Sequence, residues 1–180
     1  MYKRQGVGND WVDGGNDGDT VYGENGKDVL HGGTGNDYID GGADNDTIYG
    51  NSGNDTLRGN TGDDYLIGGD GSDTMYGDDG HDLMTGDAGS DYLNGGNGDD
   101  RMDGGADNDQ LYGGSGNDNL LGDAGNDHLQ GNQGNDQLQG GDGDDVLYGN
   151  SGDDELLGNA GNDILYGNDE GTFGGEFDIK

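Results

Sequence analysis

The chain has 180 residues, of which 46 are Gly and 40 are Asp or Glu against 6 Lys or Arg, for a formal net charge of −34. Only 26% of residues are apolar, roughly half the share in an ordinary globular domain, so composition alone predicts disorder unless something neutralises the charge. The absence of Cys excludes disulfides and thiolate metal sites, no apolar run approaches the roughly 18 residues of a membrane-spanning helix, and the acidic field repels nucleic acid and anionic membranes.

Met1 to Arg4 form a short lead with no basic stretch, apolar stretch and cleavage site of a cleavable secretory signal. From Gln5 to Tyr166 the chain divides into 18 consecutive nonapeptides without insertion or deletion. One unit is Gly32-Gly33-Thr34-Gly35-Asn36-Asp37-Tyr38-Ile39-Asp40, and the next is Gly41-Gly42-Ala43-Asp44-Asn45-Asp46-Thr47-Ile48-Tyr49. Position 1 is Gly in all units but the first, where Gln5 stands. Position 2 is Gly, Asn or Asp except at Glu24, and position 4 is Gly except at Asp17, Asp44 and Asp107. Position 6 is always Asp and position 8 always Val, Ile, Leu or Met, while positions 3, 5, 7 and 9 vary. The phase breaks after Tyr166, and residues 167–180 read as a C-terminal cap, a remnant of an export signal or a loose tail.

Gly, Asn and Asp tolerate positive φ, so positions 1 to 5 predict a tight turn. Positions 7 to 9 predict a three-residue strand with one inward aliphatic side chain. Neither a three-residue strand nor a nine-residue unit is stable alone, so the units must stack. The expected fold is all-β: a right-handed parallel β-roll, or β-solenoid, in which the 18 repeats form about nine two-repeat coils. Its core is a double ladder, with Val12, Leu30, Ile48, Leu66 and Met84 beginning one sheet and Val21, Ile39, Leu57, Met75 and Leu93 the other. At roughly 4.8 Å per coil it extends about 43 Å.

Stacking aligns the invariant carboxylates. Asp10, Asp28, Asp46, Asp64, Asp82, Asp100, Asp118, Asp136 and Asp154 form one column, and Asp19, Asp37, Asp55, Asp73, Asp91, Asp109, Asp127, Asp145 and Asp163 the other. Like charges one strand spacing apart repel by about a kcal/mol per pair even in high dielectric, so the roll opens unless cations lie between them. Carboxylates from successive coils, together with main-chain carbonyls of Gly-rich turns, make an all-oxygen environment that suits Ca²⁺ better than Zn²⁺ or copper, and better than the smaller, strongly hydrated Mg²⁺. Pairing each unit with the second one after it gives about 16 internal sites, and 16 Ca²⁺ carry +32 against the chain's −34. Up to 18 ions per subunit are expected if molecules stack end to end.

The motif Gly-Gly-x-Gly-x-Asp-x-(aliphatic)-x, in these 18 in-phase copies, resembles the RTX (repeats-in-toxin) calcium-binding nonapeptide-repeat family. The resemblance implies a β-roll with Ca²⁺ in its turns, folding triggered by external calcium, and an extracellular location after type I secretion through an uncleaved C-terminal signal. Carried over residue by residue, it assigns the ligand role to the 18 Asp residues named above, completed by carbonyls of neighbouring turns.

The outward positions make two faces. One carries Tyr22, Tyr38, Tyr76, Tyr92, Tyr112, Tyr148 and Tyr166; the other is mixed, with Trp11, His31, Tyr49, Tyr65 and Arg101. The aromatic side chains read as ladders that stiffen the sheets, or as a lateral contact face for another copy. His31, His81 and His128 occupy three different repeat positions, no nucleophile, base and orienting group converge, and no catalytic activity is expected. Expected partners are calcium ions and other copies of the chain, met head to tail or through the Tyr-rich face. The function expected is that of a folding and structural module of an exported protein, with a self-assembling extracellular filament or matrix subunit as the alternative.

Overall fold

The computed structural model describes residues 2–167. The expected cap or tail therefore lies outside the described residues beyond Gly167. Nineteen strands succeed one another: β1 (Tyr2–Val7), β2 (Trp11–Asn16), β3 (Thr20–Asn25), β4 (Val29–Thr34), β5 (Tyr38–Ala43), β6 (Thr47–Ser52), β7 (Thr56–Thr61), β8 (Tyr65–Asp70), β9 (Thr74–Asp79), β10 (Leu83–Ala88), β11 (Tyr92–Asn97), β12 (Arg101–Ala106), β13 (Gln110–Ser115), β14 (Asn119–Ala124), β15 (His128–Gln133), β16 (Gln137–Asp142), β17 (Val146–Ser151), β18 (Glu155–Ala160) and β19 (Ile164–Tyr166). No helix occurs among the described residues, and so none is long and apolar enough to cross a membrane.

Odd-numbered strands build a ten-stranded sheet in the order β1-β3-β5 through β19, and even-numbered strands a nine-stranded sheet from β2 to β18. Every pairing is parallel and in the same register, each residue opposite the one 18 later, as in Val12↔Leu30 and Val21↔Ile39. Two nonapeptides thus complete one coil of a β-solenoid, as the period requires. The core is the expected double ladder: sixteen position-8 side chains from Val12 to Leu147 are 0–2% exposed, with Leu156 and Leu165 packed against them.

Three details differ from the sequence reading. The strands run six residues, positions 7 to 9 continuing through positions 1 to 3 of the next repeat, so the turn shrinks to positions 4 to 6. Strand pairing on both sides overrides the weak strand preference of Gly, Asn and Asp. Second, position 1 is not in the left-handed region; positive φ falls at positions 2 and 4, as at Asn51 (77°), Gly53 (131°) and Glu24 (79°). Position-1 glycines are instead required by space. A Cβ on Gly50 would stand 2.5 Å from Asp55 Oδ2 and 2.6 Å from the carbonyl oxygen of Gly68. Third, β1 starts at Tyr2 and pairs with β3, so the lead expected before the roll is part of its first strand.

Candidate metal centre

Each position-6 Asp closes a turn at the mouth of a strand. The 15 from Asp19 to Asp145 are buried, at 0–4% exposure, whereas Asp10, Asp154 and Asp163 are partly exposed. Successive members of a column are joined directly: the main-chain N–H of Asp73 donates to Asp91 Oδ1 at 2.7 Å, and that of Asp91 to Asp109 Oδ1 at 2.8 Å. Sixteen such bonds, from Asp10→Asp28 at 2.7 Å to Asp145→Asp163 at 3.0 Å, run through the two columns. The structure therefore places all 18 predicted aspartates in the two predicted files.

One oxygen of each carboxylate is thus held, and the other is left over. The Oδ2 atoms of the 15 aspartates from Asp28 to Asp154 at nine-residue intervals are buried without a hydrogen-bond partner. A carboxylate oxygen only accepts, and a buried acceptor without a donor or cation is costly. Burial accordingly lifts these carboxyls above their ordinary value of 3.8. Asp46, Asp82, Asp91 and Asp100 rise to about 7 and Asp109 to about 8, because desolvation outweighs the N–H bond that lowers them, and neighbouring carboxylates add to the rise. Without a cation the columns are a destabilising feature of their own fold.

The surrounding atoms fit a hard cation. The position-1 glycines leave open the point that Asp55 Oδ2 and the Gly68 carbonyl approach from neighbouring coils. All candidate donors are oxygens. No three His, Cys, Asp or Glu side chains converge among the described residues, so side chains alone cannot fill the six to eight positions of a Ca²⁺ shell. Main-chain carbonyls must supply the rest, which is what a Gly-rich turn permits.

A further ladder was not legible as functional in the sequence. Position 5, read as variable, is Asn or Asp in 13 of 18 units. Its side chain accepts from the main-chain N–H one coil later: Lys27 to Asn9 at 3.1 Å, Asn117 to Asp99 at 2.7 Å and Asn162 to Asp144 at 2.7 Å. His81 substitutes there, its Nδ1 accepting from the N–H of Asp99 at 2.8 Å. These bonds run opposite to those of position 6, so each turn is tied to both neighbours. The signal was the excess of short amide and carboxylate side chains, which cap main-chain donors. The three histidines remain apart: His31 stacks on Tyr49, His81 sits in a turn and His128 lies between Tyr112 and Tyr148.

With this geometry in place, comparison with known families adds an independent result. The RTX calcium-binding nonapeptide repeat, in its four-copy form, matches residues 6–30, 22–57, 49–84, 76–111, 85–120, 112–147, 121–156 and 139–170. No curated protein matches the chain. The matched stretches together span almost all of the sequence, and the chain belongs to the RTX calcium-binding nonapeptide repeat family.

Proposed function

We propose that this member of the family is a secreted, non-catalytic structural module that folds on binding extracellular Ca²⁺. The observation that carries the reading is the unbroken series of buried, partnerless Oδ2 atoms from Asp28 to Asp154. The 18 position-6 aspartates are the side-chain ligands, each interior one facing two sites, and turn carbonyls complete each shell. Bound Ca²⁺ supplies the positive charge that the two files lack. About 16 internal sites follow from pairing each unit with the second one after it. Sites of extracellular affinity, on the order of 10⁻⁴ to 10⁻³ M, stay empty at cytosolic calcium. Such a chain remains unfolded inside the cell and folds outside, where binding free energy becomes folding free energy. That logic agrees with type I export, which moves unfolded chains.

Native mass spectrometry of the full chain across a calcium series tests the ligand assignment. The expected outcome is loading toward about 16 ions, with Mg²⁺ binding far fewer because it resists dehydration. Loading that stops at two or three ions would refute the paired-coil assignment.

A second reading, a head-to-tail filament or matrix subunit, draws on the strands that end each sheet. Among the described residues β1, β2, β18 and β19 pair on one side only, and Val7 and Trp11 are 89% and 66% exposed. An open parallel edge templates another strand. Stacked end to end, subunits would share junction sites and reach 18 ions each.

A further inference from the structure

The ten-stranded sheet carries on its outer face a ladder that calcium ligation does not use. From β9 to β19, six successive strands each contribute one ring: Tyr76, Tyr92, Tyr112, His128, Tyr148 and Tyr166. Their centroids are separated by 5.9, 5.3, 5.9, 5.3 and 4.7 Å. In a chain with 40 acidic residues, positions 7 and 9 of these six strands hold no charged residue at all. Ion pairing therefore does not explain this strip.

One pair stands out chemically. Tyr148 and Tyr166 are stacked nearly face to face, 4.7 Å apart and 9° from parallel, whereas the other rings of this strip are tilted by 36–52°. A near-parallel stack at this separation keeps the two phenol rings beside each other, within the small displacement that bond formation between them needs. Tyr166 is 50% exposed, so an oxidant reaches it. In the unfolded chain the two residues are 18 positions apart and meet only at random. The three core methionines Met75, Met84 and Met102 are 0–1% exposed and shielded from the same oxidant.

From this geometry we infer that the Tyr-bearing face is a site of oxidative cross-linking, at which Tyr148 and Tyr166 couple to dityrosine when a haem-peroxidase-type oxidant supplied with hydrogen peroxide acts on the folded roll. Each phenol loses one electron and one proton to give a tyrosyl radical. The radicals join through a bond between ortho carbons, and the two ortho hydrogens move to the phenolic oxygens as the rings regain aromaticity. The two electrons and two protons lost reduce one hydrogen peroxide to two waters. The new bond fixes β19 to β17 and so holds Asp163 against Asp145, which are joined by a 3.0 Å bond. It is a covalent lock on a coil that calcium otherwise holds, and the inference rests on the calcium-folded roll.

The test treats the full chain with a haem peroxidase and limiting hydrogen peroxide, in calcium and in chelator, with circular dichroism recorded on each sample. Cross-linked peptides are then mapped by mass spectrometry. In calcium, one intramolecular link between Tyr148 and Tyr166 is expected to dominate, two hydrogens lighter than the separate peptides. Y166F is expected to lose that link with unchanged ellipticity, and Y92F to retain it. In chelator the preference is expected to vanish. The linked chain is expected to keep its ellipticity to severalfold lower calcium than the untreated chain, and an unshifted midpoint would overturn the lock. A folded roll whose links are spread evenly among tyrosines, or form only between molecules, overturns the inference and leaves the calcium reading intact. A coil in calcium with no preferred pair overturns both.

Discussion

A position-6 aspartate has one oxygen held by a main-chain N–H and a second that is proposed to face the cation, and variants separate the two. Asp91→Ala removes the acceptor of the Asp73 N–H as well as one carboxylate of two proposed sites. The orphaned donor alone costs about 1–3 kcal/mol, so this variant is expected to need markedly more calcium to fold. Asp10→Ala is expected to cost clearly less, because Asp10 is partly exposed, belongs to one proposed site rather than two, and keeps in Ala both its main-chain bonds, the N–H to Asp28 and the carbonyl that accepts from Val29. Asp91→Asn keeps the acceptor and drops the charge. It is expected to weaken calcium binding while easing compaction in chelator. Calcium titrations of the three variants by circular dichroism measure this ranking.

Protonation of the same carboxyls makes a signed prediction. Their folded-state values, about 6 for Asp55 to about 8 for Asp109, lie above the ordinary 3.8. The stability they lend the metal-free roll is therefore complete below that ordinary value and lost as pH rises through about 6 to 8. In chelator, acidification from about pH 8 to about pH 4 is expected to increase β-structure. In calcium, the same acidification is expected to raise the calcium required, since protons and cations compete for one oxygen. Ellipticity followed along both pH series checks the two opposite slopes.

At the scale of the strand, the period of nine and the aliphatic at position 8 were enough to place every core side chain in its sheet. Strand length was not legible. Position 1 to 3 residues such as Gly41, Gly42 and Ala43 have no strand preference of their own and join β5 because parallel neighbours stand on both sides. The reason for position-1 glycine was equally hidden. A sequence cannot distinguish a glycine needed for positive φ from one needed for room, and only packing shows that Gly50 faces Asp55 and Gly68. The position-5 ladder went unread because Asn, Asp and His share an acceptor atom rather than an identity. What was legible at the site was the invariance of one residue type; the pairing of held Oδ1 with unheld Oδ2 is a property of the stack. Because the core is only two side chains wide, each layer matters. Leu111→Ala, at a fully buried position, is expected to cost about 2–5 kcal/mol. Leu165→Ala, at a partly buried one, is expected to cost clearly less. Chemical denaturation in saturating calcium compares them.

Across the whole molecule, neighbouring coils share both their hydrogen bonds and their proposed ligands, so the roll behaves as a one-dimensional array in which each layer supports the next. A charge of −34 on 180 residues opposes any compact state, and the side-chain core is too thin to offset it unaided. Folding is thus expected to switch on over a narrow calcium range rather than coil by coil. The most direct measurement is a calcium titration from full chelation, read by circular dichroism and sedimentation velocity on the same samples. The account predicts an expanded coil in chelator, a cooperative rise in β-structure with compaction on adding calcium, and little response to magnesium. A chain that stays compact and β-rich after exhaustive chelation near neutral pH would contradict it.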